Sequence, residues 1–115
     1  IMKVELLFMD DCPNYLETKG LLEDALNGLK ITAPIEMVRV RTEEEAKELQ
    51  FMGSPTIRLD GKDIEEEEDF QNPGRYGLFF RRYKSPNPRA IPSRAQILRP
   101  VNVWFNEWKK QNNQE

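Results

Sequence analysis

The sequence predicts an α/β domain, and three observations carry that prediction. The segment 3–9 ends in the apolar run "LLFM" before two aspartates, the pattern of a strand buried on both faces. Leu22, Ala25, Leu26 and Leu29 then recur at i, i+3, i+4 and i+7, the spacing of one apolar helix face. Further on, Ile57 and Leu59 alternate with Arg58 ahead of Asp60-Gly61, a strong two-residue hairpin signal. A length of 115 residues suits one domain, spanning 1–115.

The elements follow in order. The strand over 3–9 should be central in its sheet. Pro13 can open a helix, because its missing N–H lies where a helix has no acceptor for it, and the Leu22 face extends that helix to about residue 30. Gly20 either weakens the helix or allows close packing. "APIEMVRV" at 33–40 reads as a second strand. Thr42 and Glu45 have capping-box spacing for a short helix over 43–51, with Ala46, Leu49 and Phe51 inward. The hairpin at Asp60-Gly61 then joins the strand carrying Ile57 and Leu59 to Lys62–Ile64, which completes a β-α-β-α-β-β order. The run "EEEEDF" at 65–70 reads as an exposed connection and "QNPG" as a turn. "RYGLFFRRY" at 75–83 reads as extended, with Leu78 and Phe80 on one side and Phe79 and Tyr83 on the other. "KSPNPRAIP" is too proline-rich for helix. A helix can begin near Pro92 or Ser93, but Pro100 should break or bend it. Val101, Trp104, Phe105 and Trp108 then define an amphipathic terminal helix over about 100–111, and the tail "QNNQE" should fray.

Composition excludes several function classes. Hydrophobic residues make up 38% and charged residues 32%, a globular balance with no window long and apolar enough to span a membrane. With no signal-peptide pattern in the first residues, the cytoplasm is the expected location. There is no histidine, which removes histidine triads, Cys-His pairs and the commonest zinc sites. A single cysteine, Cys12, suits a reducing compartment and removes disulfide scaffolds and multi-cysteine metal sites. Neither a metal nor another cofactor is expected. Residues 1–69 hold eight Lys/Arg against eighteen Asp/Glu, whereas residues 70–115 hold nine against two. This asymmetry fits solvated faces, attraction between the halves or between two copies, or steering of an anionic partner. A pI near 5.2 argues against nucleic-acid binding.

Cys12-Pro13 at the start of the first helix and Ser54-Pro55-Thr56 before the hairpin resemble the thioredoxin superfamily. The segments "CPN", "FMGSPTIRLDGKDIE", "YGL" and "IPSR" look more narrowly like small bacterial thioredoxin-like proteins, some of them labelled as relatives of alkylmercury lyases. The resemblance covers about residues 3–98. It implies a thioredoxin-like fold with a mixed four-stranded sheet flanked by helices, followed here by an extra extended segment and helix. It also implies a cis peptide bond before Pro55, a loop lying against Cys12, and a Ser54 backbone free to pair with an extended thiol-bearing peptide or glutathione.

The chain departs from that family at the residues that do the chemistry. The family's Cys-x-x-Cys becomes Cys12-Pro13-Asn14-Tyr15, and Phe80 stands where narrower relatives carry a further cysteine. A dithiol cycle within one chain is therefore excluded, because no second sulfur can resolve a mixed disulfide. Two main readings remain, beside a third, soft-metal or organomercurial binding, that would need thiolates from two chains. In the first, Cys12 is a monothiol nucleophile or thiol-binding residue, with Pro13, Asn14, Tyr15, Ser54, Pro55 and Thr56 forming its binding surface and glutathione or a protein thiol as partner. In the second, the chain is a non-catalytic binding or assembly module that keeps the fold. The helix N-terminus favours a thiolate at Cys12, whereas Asp10 and Asp11 oppose it. The stripe Trp104, Phe105 and Trp108 suits either the core of its own domain or the interface of a homodimer.

Overall fold

A computed structural model describes residues 3–12, 14–65, 73–81, 83 and 91–112. The elements are β1 (Val4–Phe8), α1 (Tyr15–Gly28), β2 (Ile35–Arg39), α2 (Glu43–Glu48), β3 (Met52–Ser54), β4 (Thr56–Leu59), β5 (Lys62–Asp63), a 3-10 turn (Pro73–Arg75), β6 (Gly77–Phe80) and α3 (Arg94–Asn112). The fold is α/β, with a mixed four-stranded sheet in the order β2-β1-β4-β5. β1 pairs in parallel with β2 and antiparallel with β4, so the apolar strand read from the sequence is central. β5 returns antiparallel along β4 through the Asp60-Gly61 turn. Both turn residues take positive φ, +51° and +85°, the geometry that matches the right-handed twist of a hairpin.

Because β1 is covered on both faces, its alternation divides the core in two. Val4 and Leu6 join Leu22, Ala25 and Leu26 of α1, Ile57 and Leu59 of β4, and Ile97 and Val101 of α3. Leu7 and Met9 join Cys12, Val40, Ala46 of α2 and Phe51 in a smaller second cluster. Thr42 caps α2 by accepting the Glu45 N–H at 3.1 Å. The helix stops at Glu48, short of the predicted residue 51, where Gln50 turns to φ +55° and the Phe51 N–H reaches back to the Ala46 carbonyl at 2.8 Å. A side chain at Gly20 would meet nothing within 4 Å, so close packing does not explain that glycine.

The structure refines three expectations. First, Pro100 does not break the terminal segment: a single helix runs from Arg94 to Asn112 with Pro100 inside it. Its start is set by a reciprocal capping box: the Gln96 N–H donates to Ser93 Oγ at 3.1 Å, and the Ser93 N–H donates to Gln96 Oε1 at 2.8 Å. Those caps, together with the burial of Ile97 and Val101 on either side of Pro100, hold the helix despite the hydrogen bond that proline cannot make.

Second, Met52–Ser54 forms a strand that the sequence reading merged into the loop. It pairs in parallel with β6, separately from the main sheet. Third, the segment 75–83 is extended as read over β6, and its buried positions are Gly77, Arg81 and Tyr83, while Phe79 and Phe80 are 42% and 54% exposed. The run 66–70 of "EEEEDF", the proline-rich stretch 84–90 and the tail 113–115 lie outside the described residues.

The terminal aromatic stripe serves its own domain: Trp104 and Phe105 pack against the larger cluster. Trp104 Nε1–H donates to Asp60 Oδ2 at 2.6 Å, and Asp60 Oδ1 accepts the Lys3 N–H at 2.7 Å. The hairpin turn thus links the start of β1 to α3. Among the described residues, no helix is long and apolar enough to cross a membrane.

Candidate functional site

The chain leaves β1 through Met9, Asp10 and Asp11 in a tight turn that the Cys12 N–H closes on the Met9 carbonyl at 3.1 Å. That turn directs Cys12 inward. It is 2% exposed, within the apolar cluster of Leu7, Met9, Val40, Ala46 and Phe51. An open cleft of about 320 Å³ nearby is walled by Met9, Asp10, Asp11, Val40, Arg41 and Leu78, and Cys12 is not part of that wall. Asp10 is paired with Arg39 Nε at 2.7 Å, and both side chains are exposed. The cation next to the acidic turn therefore comes from β2, in the acidic half of the chain.

The residues after Cys12 have structural partners. Asn14 is the N-cap of α1, and its carbonyl accepts the Thr18 N–H at 3.1 Å and the Thr18 hydroxyl at 2.9 Å. Tyr15 stacks on Phe8 with ring centroids 4.3 Å apart. Pro13, expected in the binding surface, lies outside the described residues.

On the opposite side, the Ser54–Pro55 peptide bond is cis, the isomer that the resemblance implies. Ser54, Pro55 and Thr56 are buried, and each is tied down from within. Ser54 Oγ accepts the Met9 N–H at 3.0 Å, which joins this loop to the turn carrying Cys12. The Ser54 carbonyl accepts the Arg81 N–H at 3.0 Å, the Pro55 carbonyl accepts the Tyr83 hydroxyl, and the Thr56 hydroxyl donates to the Gly53 carbonyl at 2.6 Å. The free Ser54 backbone of the sequence reading is therefore corrected. Ser54 is in register with Phe80, and the chain's own β6 takes the edge that an incoming peptide would need.

The sequence reading missed the group that organises this region. Arg81 is 5% exposed and donates to Asp63 through Nη1 at 2.6 Å and Nη2 at 2.7 Å, to Glu65 at 3.1 Å and to Thr56 Oγ1 at 3.2 Å. Its guanidinium lies 4.4 Å from the centroid of the Tyr83 ring. Burial by itself pushes the Arg81 pKa down, but the hydrogen bonds and charge of Asp63, with Tyr83 and Glu65, hold it above the ordinary value. Burial pushes the Tyr83 hydroxyl pKa up as well, against the opposing charge of Arg81. Burial also lowers the Arg58 pKa, with Asp63 and Glu5 opposing the shift. The only signal in the sequence was an arginine beside aromatics in an extended run. Nothing local links position 81 to position 63.

Among the described residues, no group of three or more His, Cys, Asp or Glu is placed to hold a metal ion. The arrangement thus consists of one buried thiol, a loop bonded to the turn before it, and an internal ion-pair network behind that loop. No family model, curated protein or solved structure matches the chain.

Proposed function

We propose that the chain is a thioredoxin-like domain acting as a non-catalytic binding module. The observation that carries this reading is the position of Cys12, the one thiol in the sequence, at 2% exposure inside an apolar cluster. Thiol–disulfide exchange requires the sulfur to approach a disulfide along the S–S axis, and a cysteine buried in the cluster with Leu7, Val40 and Phe51 leaves little room for that approach while the cluster is closed. The thioredoxin-like part of the reading is supported by the strand order β2-β1-β4-β5, by the strand directions, and by Ser54-Pro55 directly before β4 and bonded to the end of β1. A reducing, cytoplasmic setting suits the lone thiol.

A second reading, monothiol exchange with glutathione or a protein thiol, is favoured by the Met9–Ser54 hydrogen bond, which holds the docking loop beside the Cys12 turn. In that reaction the Cys12 thiolate attacks one sulfur of an incoming disulfide, forms a mixed disulfide and releases the other sulfur as thiolate. One experiment separates the two readings: incubation of the native protein with oxidised glutathione, detection of the Cys12 adduct by intact mass, and Cys12→Ala as the blank. The binding-module reading expects an adduct that forms at least about tenfold more slowly than on a free cysteine. Formation at the free-cysteine rate or faster overturns it.

A further inference from the structure

β6 is positioned unlike the other strands. It stands outside the four-stranded sheet, paired with three-residue β3 and lying against α2. A two-stranded ribbon of this size has little stability of its own. Its two aromatic rings are only partly buried, Phe79 at 42% and Phe80 at 54% exposure, with the Phe79 ring lying over Gly53. What fixes the segment is its C-terminal end. The Arg81 N–H bonds the Ser54 carbonyl at 3.0 Å, the Arg81 side chain grips Asp63, Glu65 and Thr56, and Tyr83 lies in the main core with its hydroxyl on Pro55. At the other end, the Gly77 N–H bonds the Phe51 carbonyl at 3.0 Å, and Leu78 packs half-buried on the cluster that contains Cys12. The Leu78 N–H meets only a long contact to Glu43 Oε1, at 3.4 Å.

We infer that Gly77–Phe80 is a strap over the Cys12 cluster, anchored at Arg81 and Tyr83, and that it opens as a local unit to uncover Cys12 and the backbone edge of 52–53. The physical basis is an asymmetry along one short strand. Charge-assisted, buried hydrogen bonds hold its C-terminal end, whereas backbone pairing, half-buried Leu78 and the partly exposed Phe79 ring over Gly53 hold the rest. The strap lifts Leu78 from the cluster and breaks the pairing of β3 with β6, while the four-stranded sheet stays intact. The inference rests on these contacts and does not require the binding-module reading.

The test is native-state hydrogen exchange at the Gly77, Arg81 and Val40 amides, run beside iodoacetamide alkylation of Cys12 over a series of low urea concentrations. The Val40 amide bonds the Phe8 carbonyl at 2.8 Å at the end of β1 and reports on the sheet. The expected result is that Gly77 exchange and Cys12 alkylation share one opening equilibrium with weak urea dependence, while Arg81 and Val40 open only with the whole molecule. Leu78→Ala should speed both Gly77 exchange and Cys12 alkylation by about tenfold, leaving Val40 unaffected beyond any change in global stability. Alkylation that tracks Val40, alkylation while Gly77 stays protected, or Gly77 exchange without alkylation each overturns the strap. Alkylation through local opening with no glutathione adduct leaves both the strap and the binding module standing. Local opening with a rapid adduct upholds the strap and overturns the module.

Discussion

Arg81 and Asp63 form a two-pronged ion pair, Nη1 to Oδ2 at 2.6 Å and Nη2 to Oδ1 at 2.7 Å, with side chains only 6% and 12% exposed. The pair joins β5 to the end of β6 directly behind the Ser54-Pro55-Thr56 loop. A buried pair of this kind need not stabilise the fold more than apolar residues would, but losing one partner leaves a desolvated charge. Its position is what matters for the site: it fixes the C-terminal end of β6, whose Leu78 packs on the cluster that contains Cys12.

Removing the carboxylate should therefore cost more than removing the pair. Asp63→Asn is expected to lower stability by about 3 kcal/mol, softened by the remaining Glu65 contact. The double change Arg81→Met with Asp63→Leu should recover part of that loss. Urea denaturation of the three proteins checks this, and a double variant no more stable than Asp63→Asn contradicts it.

Tyr83 makes stability depend on alkaline pH. Its hydroxyl pKa is raised in the folded state, first by burial and against the charge of Arg81. Below about pH 10, the ordinary tyrosine value, the proton is bound in both states and the contribution of Tyr83 is fully present. Above it the unfolded tyrosine ionises while the folded one does not, so unfolding releases a proton and stability falls as pH rises toward the folded value. Tyr83→Phe should flatten this decline. At neutral pH it should cost about 1–3 kcal/mol, because the Pro55 carbonyl loses its donor. Denaturation curves at pH 8 and pH 11 test both parts.

Gly53 marks how closely β6 approaches β3. Its φ is +104°, and a Cβ there would lie 2.9 Å from the Phe79 ring. Gly53→Ala is expected to destabilise by about 1–3 kcal/mol through the backbone conformation alone. Gly53→Ala with Phe79→Ala should relieve the steric part only, which a comparison of the two urea midpoints would show.

Pro100 is a site where stability can be gained. It lies within α3 and cannot donate the helical hydrogen bond that its position otherwise allows. Pro100→Ala should raise stability, up to about 3 kcal/mol, since the helix already passes through this point. A rise in the thermal midpoint checks this; a fall would show that the pyrrolidine ring packs better than alanine can replace.

Much of the local structure was legible because it is encoded at short range. The Thr42 cap, the Leu22 face of α1 and the Asp60-Gly61 turn each depend on residues within one or two turns of chain. The helix does not break at Pro100, because the Ser93–Gln96 cap and burial in the core outweigh the proline's propensity. At 75–83 the extended reading held over β6, but alternation alone did not show that Arg81 and Tyr83 would be the buried side chains.

The sequence by itself determined most of the order of elements, with β3 missed, the central place of β1 and the absence of a second cysteine beside Cys12, because periodicity, turn chemistry and a count of sulfurs need no partner in space. Whether Cys12 is open, whether Ser54 is free and what Arg81 holds were decided only by tertiary structure. Met9 meets Ser54 across 45 positions and Arg81 meets Asp63 across 18. Burial and charge pairing are properties of the neighbours that folding brings together, and a linear pattern does not carry them.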